Sequence, residues 1–163
     1  MKSLCAALAI LLPVSAFAAT PSTLGPDGGK FGAWTAAVAG TGSAKVCYAF
    51  TTPVSSKPAW KSRARVLLTV TERADARDEV TLTPGYTYPK KVTVSLTIGK
   101  VDFPFLVDSG TAFATDNASI LAAFRKADAA ASTSTGPHGK PVADKYSLTG
   151  FSAAYKAIVK ACP

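Results

Sequence analysis

The clearest pattern in the chain is the alternation of Val92, Val94, Leu96 and Ile98 with Thr93, Ser95 and Thr97. A period of two puts the aliphatic set on one face and the hydroxyls on the other, so Lys91–Gly99 predicts a strand with one buried face. Gly99-Lys100 reads as a tight turn into a second strand, Val101–Val107. Similar runs predict strands at Phe31–Val38, Lys45–Thr52, Arg65–Glu72, Glu79–Thr83, Ala130–Thr135 and Val142–Leu148. The period changes twice. Asp116-Asn117 caps an expected helix over Ala118–Ala127. At the end, Phe151, Ala154, Tyr155, Ile158, Val159 and Cys162 form an apolar stripe at helical spacing, with Thr149 as the expected cap. The pattern predicts a mainly β domain over residues 31–163. Its form is an antiparallel β-sandwich or open barrel, with a short helix and a C-terminal helix.

The first residues follow another logic. Met1-Lys2-Ser3 is a short positive start, Leu4–Leu12 is continuously apolar, and Ala16-Phe17-Ala18 has the small-x-small spacing of a signal-peptidase site. The apolar run is shorter than the roughly 20 residues a bilayer span needs. Residues 1–18 therefore read as a Sec-type signal peptide cleaved after Ala18, and 19–30 as a flexible leader. The expected destination is the periplasm of a bacterium, with outer-membrane association or secretion as the alternatives. Without the leader, two cysteines remain, Cys47 and Cys162. In an exported protein a lone pair reads as one disulfide, here a clamp on the C-terminus.

Charge adds one surface. Lys and Arg number 18 against 10 Asp and Glu, a net charge of +8. The densest basic stretch is Lys57, Lys61, Arg63 and Arg65, with Trp60 among them, in the expected exposed loop Pro53–Ser62 and just beyond. Such a loop either contacts an anionic partner or keeps the surface solvated. In an envelope compartment the expected partner is another envelope protein or an anionic surface, not nucleic acid.

One string has the look of catalysis. Phe105-Leu-Val-Asp108-Ser-Gly-Thr111 resembles the loop that carries the catalytic aspartate of aspartic proteases. That chemistry needs two carboxylates sharing a proton, so a short chain would have to dimerise and use Asp108 twice. Asp-Ser-Gly is also ordinary turn chemistry. The single histidine, His138, lies in a Gly-Pro-His-Gly turn and cannot alone supply a zinc site. There is no phosphate-binding glycine loop. No cofactor and no metal are expected.

Several segments resemble one family together. They are Phe31-Gly-Ala-Trp34-Thr35, Lys45-Val-Cys47-Tyr48-Ala49, Glu79-Val-Thr81, Gly85-Tyr86, Ala112-Phe-Ala-Thr-Asp116, Asp144-Lys-Tyr-Ser-Leu-Thr-Gly150 and the final Ala161-Cys162-Pro163. The chain resembles the invasion-associated locus B family of exported alphaproteobacterial proteins over nearly all of its expected mature length. The resemblance implies an exported, non-enzymatic envelope protein held by a Cys47–Cys162 disulfide. It offers no catalytic residues, and it makes Asp108-Ser109-Gly110 a turn of variable sequence. The expected role is binding or interaction, with the Pro53–Arg65 loop and the Asp108–Asp116 turn as the expected contact surfaces. The alternatives are a dimeric aspartic protease using Asp108 and a host-facing invasion factor.

Overall fold

A computed structural model describes residues 20–60 and 62–163. The expected signal peptide and its cleavage site lie outside the described residues, as does Lys61.

The fold is one antiparallel sheet, not closed into a barrel, with helices packed on one of its faces. Its strands are β1 (Ser22–Thr23), β2 (Lys30–Phe31), β3 (Trp34–Ala39), β4 (Val46–Thr51), β5 (Ser55–Lys57), β6 (Leu67–Arg73), β7 (Ala76–Thr83), β8 (Val94–Ile98), β9 (Val101–Asp108), β10 (Thr111–Ala114), β11 (Ala129–Thr135) and β12 (Pro141–Ser147). Their spatial order is β1-β3-β4-β6-β7-β10-β9-β8-β11-β12-β5, with β2 beside β3. The helical elements are the one-turn α1 (Pro26–Gly29), α2 (Asn117–Phe124) and α3 (Phe151–Ala161).

Most elements follow the hydrophobic pattern. In β8, Val94, Leu96 and Ile98 are buried while Ser95 and Thr97 are half-buried, the expected alternation. Asp116 caps α2, its carboxylate accepting from the Ser119 N–H at 3.0 Å. The Ser119 hydroxyl first, and then its N–H, hold the Asp116 carboxyl below its ordinary range.

Four expectations are corrected. The strand expected at Phe31–Val38 is broken by a turn at Gly32-Ala33 into β2 and β3. The leader 19–30 is not free, because Ser22–Thr23 pair with Val38 and Ala37 of β3. The loop Pro53–Ser62 contains a short edge strand, β5, on β12. The cap of α3 is Gly150 in the left-handed region, not Thr149, and no side chain caps the helix.

The core lies between the sheet and the two longer helices. Helix α3 packs on β2, β3, β4 and β6, and α2 on β7 and β8. Trp34 on β3 joins them, with its ring 5.0 Å from Phe151 of α3 and 6.0 Å from Phe124 of α2. Its indole N–H donates to the Ser147 carbonyl of β12 at 3.1 Å, which satisfies the one polar atom of a fully buried side chain. Because β12 lies far from β3 in the strand order, this bond shows that the sheet curls back on itself. The chain crosses the same gap: β4 runs on into β5, and the Val54 N–H donates to the Lys145 carbonyl at 2.8 Å.

Candidate functional site

The sequence marks two contact surfaces, the basic loop Pro53–Arg65 and the turn Asp108–Asp116, and the structure divides the first. Lys57 is exposed at the end of β5, where it pairs with Ala143 of β12. Trp60 is half-buried and Arg65 is exposed. Arg63 is not available as a surface cation. Its side chain is 5% exposed, and its two terminal nitrogens each donate to an oxygen of Asp144 at 2.7 Å. The reason is the register of β5 on β12, which sets Ser56 opposite Asp144 and brings the loop's return across that carboxylate. Ser56 Oγ also donates to Asp144 Oδ1 at 2.6 Å, and Arg63 Nε donates to the Pro84 carbonyl at 2.5 Å.

The guanidinium lies within cation–π range of two rings, 5.6 Å from Trp60 and 5.2 Å from Tyr86. Tyr86 shares a hydrogen bond with Ser134 Oγ at 2.7 Å, and its ring meets Tyr88 at 5.7 Å. Gly85 is needed beside them. It has φ of 75°, and a Cβ there would strike the Ala64 carbonyl. Burial works against the charge on Arg63, but the hydrogen bond and charge of Asp144 outweigh it and raise the guanidinium's pKa. Burial also raises the phenols of Tyr86 and Tyr88, which stay neutral. The loop is therefore pinned by its own arginine, with Lys57 and Arg65 left outside.

Arg65 borders a groove of about 330 Å³ on the face of the sheet away from α3. Its floor is Tyr48 and Phe50, alternate residues of β4 whose rings lie 6.0 Å apart. Small neighbours make the hollow: Ala37 stands opposite Tyr48, while Thr35 and Thr69 flank Phe50 on either side. Strand β1 forms one wall, and Leu67 lies toward Arg65. Sequence reasoning missed this site. The signal was present in Val46–Thr51, where burial of Cys47 and Ala49 leaves two aromatic rings on the opposite face.

The other expected residues are elsewhere. Cys47 and Cys162 form the disulfide, 115 residues apart in sequence. Asp108 is exposed at the tip of the β9–β10 hairpin, accepting from its neighbour Ser109 Oγ at 3.1 Å. The residues after it form β10, so Asp108–Asp116 is not one long turn. His138 belongs to the short turn Pro137–Gly139. Among the described residues there is no group of three or more His, Cys, Asp and Glu side chains placed to hold a metal ion, and no helix is long and apolar enough to cross a membrane.

The fold is similar to a solved structure, the invasion associated protein B from Bartonella henselae. The TM-score is 0.56 at 21% identity, covering 81% of this chain and 95% of that one. No curated protein sequence matches. The sequence profile of the invasion associated locus B (IalB) protein family matches residues 34–159, from the core tryptophan to the last turn of α3. The chain belongs to the invasion-associated locus B family.

Proposed function

We propose that this protein works in the bacterial envelope by binding, not by catalysis, and that the pinned loop Pro53–Arg65 presents its contact surface. The observation that carries this reading is the Arg63–Asp144 pair, which anchors the return of the loop to β12 while leaving Lys57 and Arg65 exposed. A rigid, positively charged loop loses little conformational entropy on meeting a partner. Its charge favours a negatively charged envelope protein or surface. The disulfide supports an oxidising compartment, in keeping with export to the periplasm. Asp108, exposed on a hairpin tip, has the setting of a solvated turn residue and not of a carboxylate pair sharing a proton.

The test is affinity capture from solubilised envelope, using the oxidised protein beside a variant with Lys57→Glu and Arg65→Glu. Arg63 stays untouched, because changing it would test folding. A specific component captured by the wild type and lost by the variant supports the reading. Equal capture by both, or capture by neither, removes this loop as the contact surface.

A further inference from the structure

We infer that the groove over Tyr48 and Phe50 binds a single-chain acidic amphiphile, its apolar body on the two rings and its acidic head at Arg65. The inference rests on the reading of the chain as a binding protein and names a ligand class for one part of that surface. Apart from Arg65, every lining residue is uncharged, and none carries a carboxylate or a carboxamide. A neutral sugar would find two rings to stack on but few of the planar polar partners that fix its hydroxyls. A cationic ligand would be repelled by Arg65, the one charged group in the lining. Arg65 makes no ion pair with any described residue, so its charge is uncompensated where it borders the hollow.

Geometry then sets the orientation. The register pairs Phe50 with Thr69 and Tyr48 with Thr71, so Leu67 and Arg65 lie beyond Phe50 along the strand direction. Tyr48, Phe50 and Leu67 thus form an apolar track that ends at a cation. At a strand rise of ~3.3 Å per residue, the step from the Tyr48 row to the Phe50 row is about 7 Å. The track suits an extended chain of several carbons. Its volume of about 330 Å³ is near the lower end for small-molecule sites, roughly 300–1,000 Å³. That admits one apolar chain and excludes the paired chains of a bilayer lipid. The apolar part gains by leaving water, and the guanidinium meets the head with a charge-assisted hydrogen bond.

The experiment is calorimetric titration of the full chain, expressed for export and purified with its disulfide intact. The probes are dodecanoate, dodecyltrimethylammonium and dodecyl maltoside, each kept below its micelle concentration. The expected result is saturable binding of one dodecanoate per chain, with no comparable binding of the cation or the neutral glycoside. Arg65→Gln should weaken dodecanoate by roughly tenfold or more, the loss of one hydrogen bond to a charged group. Thr35→Phe, which fills the hollow from β3, should abolish binding while thermal unfolding shows the fold intact. Three results would overturn the inference: no saturable dodecanoate binding, equal affinity for the cation, or an unchanged affinity in Arg65→Gln. Sedimentation with phosphatidylglycerol vesicles in the absence of dodecanoate binding would also overturn it, in favour of a bilayer surface. If dodecanoate fails while Lys57→Glu alone still loses a captured envelope component, the ligand class falls and the binding role stands.

Discussion

Cys47 and Glu72 stand opposite each other across β4 and β6, and both side chains are buried beneath α3. Cys47 is tied to Cys162 at the end of that helix. One guanidinium spans the same corner: Arg77 Nε lies 2.7 Å from Glu72 Oε2, and its Nη1 donates to the Cys162 carbonyl at 2.8 Å. Lys45 Nζ adds a bond to the Ala161 carbonyl at 2.5 Å. The chain end is therefore held by a covalent link, two cations and a buried carboxylate.

Glu72 makes this corner sensitive to pH. Oε1 accepts from the Asp78 N–H at 3.3 Å, while Oε2 meets Arg77 without an aligned hydrogen bond. Burial, then the neighbouring Asp78 carboxyl, push the Glu72 pKa up to about 7 against the pull of Arg77. A raised carboxyl pKa means the folded state holds the proton more tightly than the unfolded chain. Its contribution is full below the ordinary glutamate range and is lost as pH rises through about 7. Thermal unfolding followed by circular dichroism should show a falling midpoint between about pH 5 and pH 8. Glu72→Gln should flatten that slope and exceed the wild type at the upper end. An undiminished slope in the glutamine variant would place the effect elsewhere.

The disulfide should carry a large share of the stability. It closes a loop of 115 residues, for which the chain-entropy relation gives roughly 4–5 kcal/mol. Cys162→Ser, or reduction of the wild type, should lower the unfolding midpoint by on the order of 10 °C. The sheet should still form, because Trp34, Phe124 and Phe151 hold both helices without the link. Far-ultraviolet circular dichroism at low temperature checks the second half of this expectation. A midpoint that ignores reductant would show the link to be dispensable.

Legibility in the sequence followed the range of the forces involved. Strands β8, β9, β11 and β12 and both longer helices were readable because their burial is periodic and local. Strand β5 was hidden by Pro53, Pro58 and two serines, and exists because β12 offers it an edge. Strand β10 was read as part of a turn, since four residues after Asp-Ser-Gly show too little alternation to register. Arg63 looked like Arg65 in the sequence. Its partner is 81 residues away, and nothing near it in the chain announces a buried carboxylate. The groove was half visible, in Tyr48 and Phe50, but its walls come from β1, β3 and β6.

Gly150 should tolerate no side chain. It precedes α3 with φ of 90°, and a Cβ there would run into the Phe31 carbonyl. Gly32 approaches Thr149 in the same way from the other side, so two chain segments meet backbone to backbone. The Ala33 N–H donates to the Thr149 carbonyl at 3.0 Å within this contact. Gly150→Ala must accept left-handed strain of about 1–2 kcal/mol and also push the start of α3 away from the Phe31–Gly32 backbone. The expected loss exceeds about 2 kcal/mol, measurable by urea unfolding. Gly139→Ala, with φ of 73° and open space around its Cβ position, is the control that carries the backbone strain alone.

Breaking the Arg63–Asp144 pair should separate charge from packing. Both side chains are almost fully buried, so removing one partner leaves the other as an uncompensated charge, at a cost of roughly 3–5 kcal/mol. Asp144→Asn should therefore be strongly destabilising even though its shape is nearly unchanged. Arg63→Lys should not rescue, because an ammonium cannot reach both carboxylate oxygens and the Pro84 carbonyl as the planar fork does. The double variant Arg63→Met with Asp144→Leu removes both charges and should recover most of the loss in urea unfolding. If the double variant is as damaged as either single one, the energy lies in the stacking of Arg63 on Trp60 and Tyr86 and not in the ion pair. The contact surface gives a second readout. In the recovered double variant the loop is no longer tied to the Pro84 carbonyl, so proteolytic cleavage between Lys57 and Arg65 should be faster than in the wild type at equal global stability.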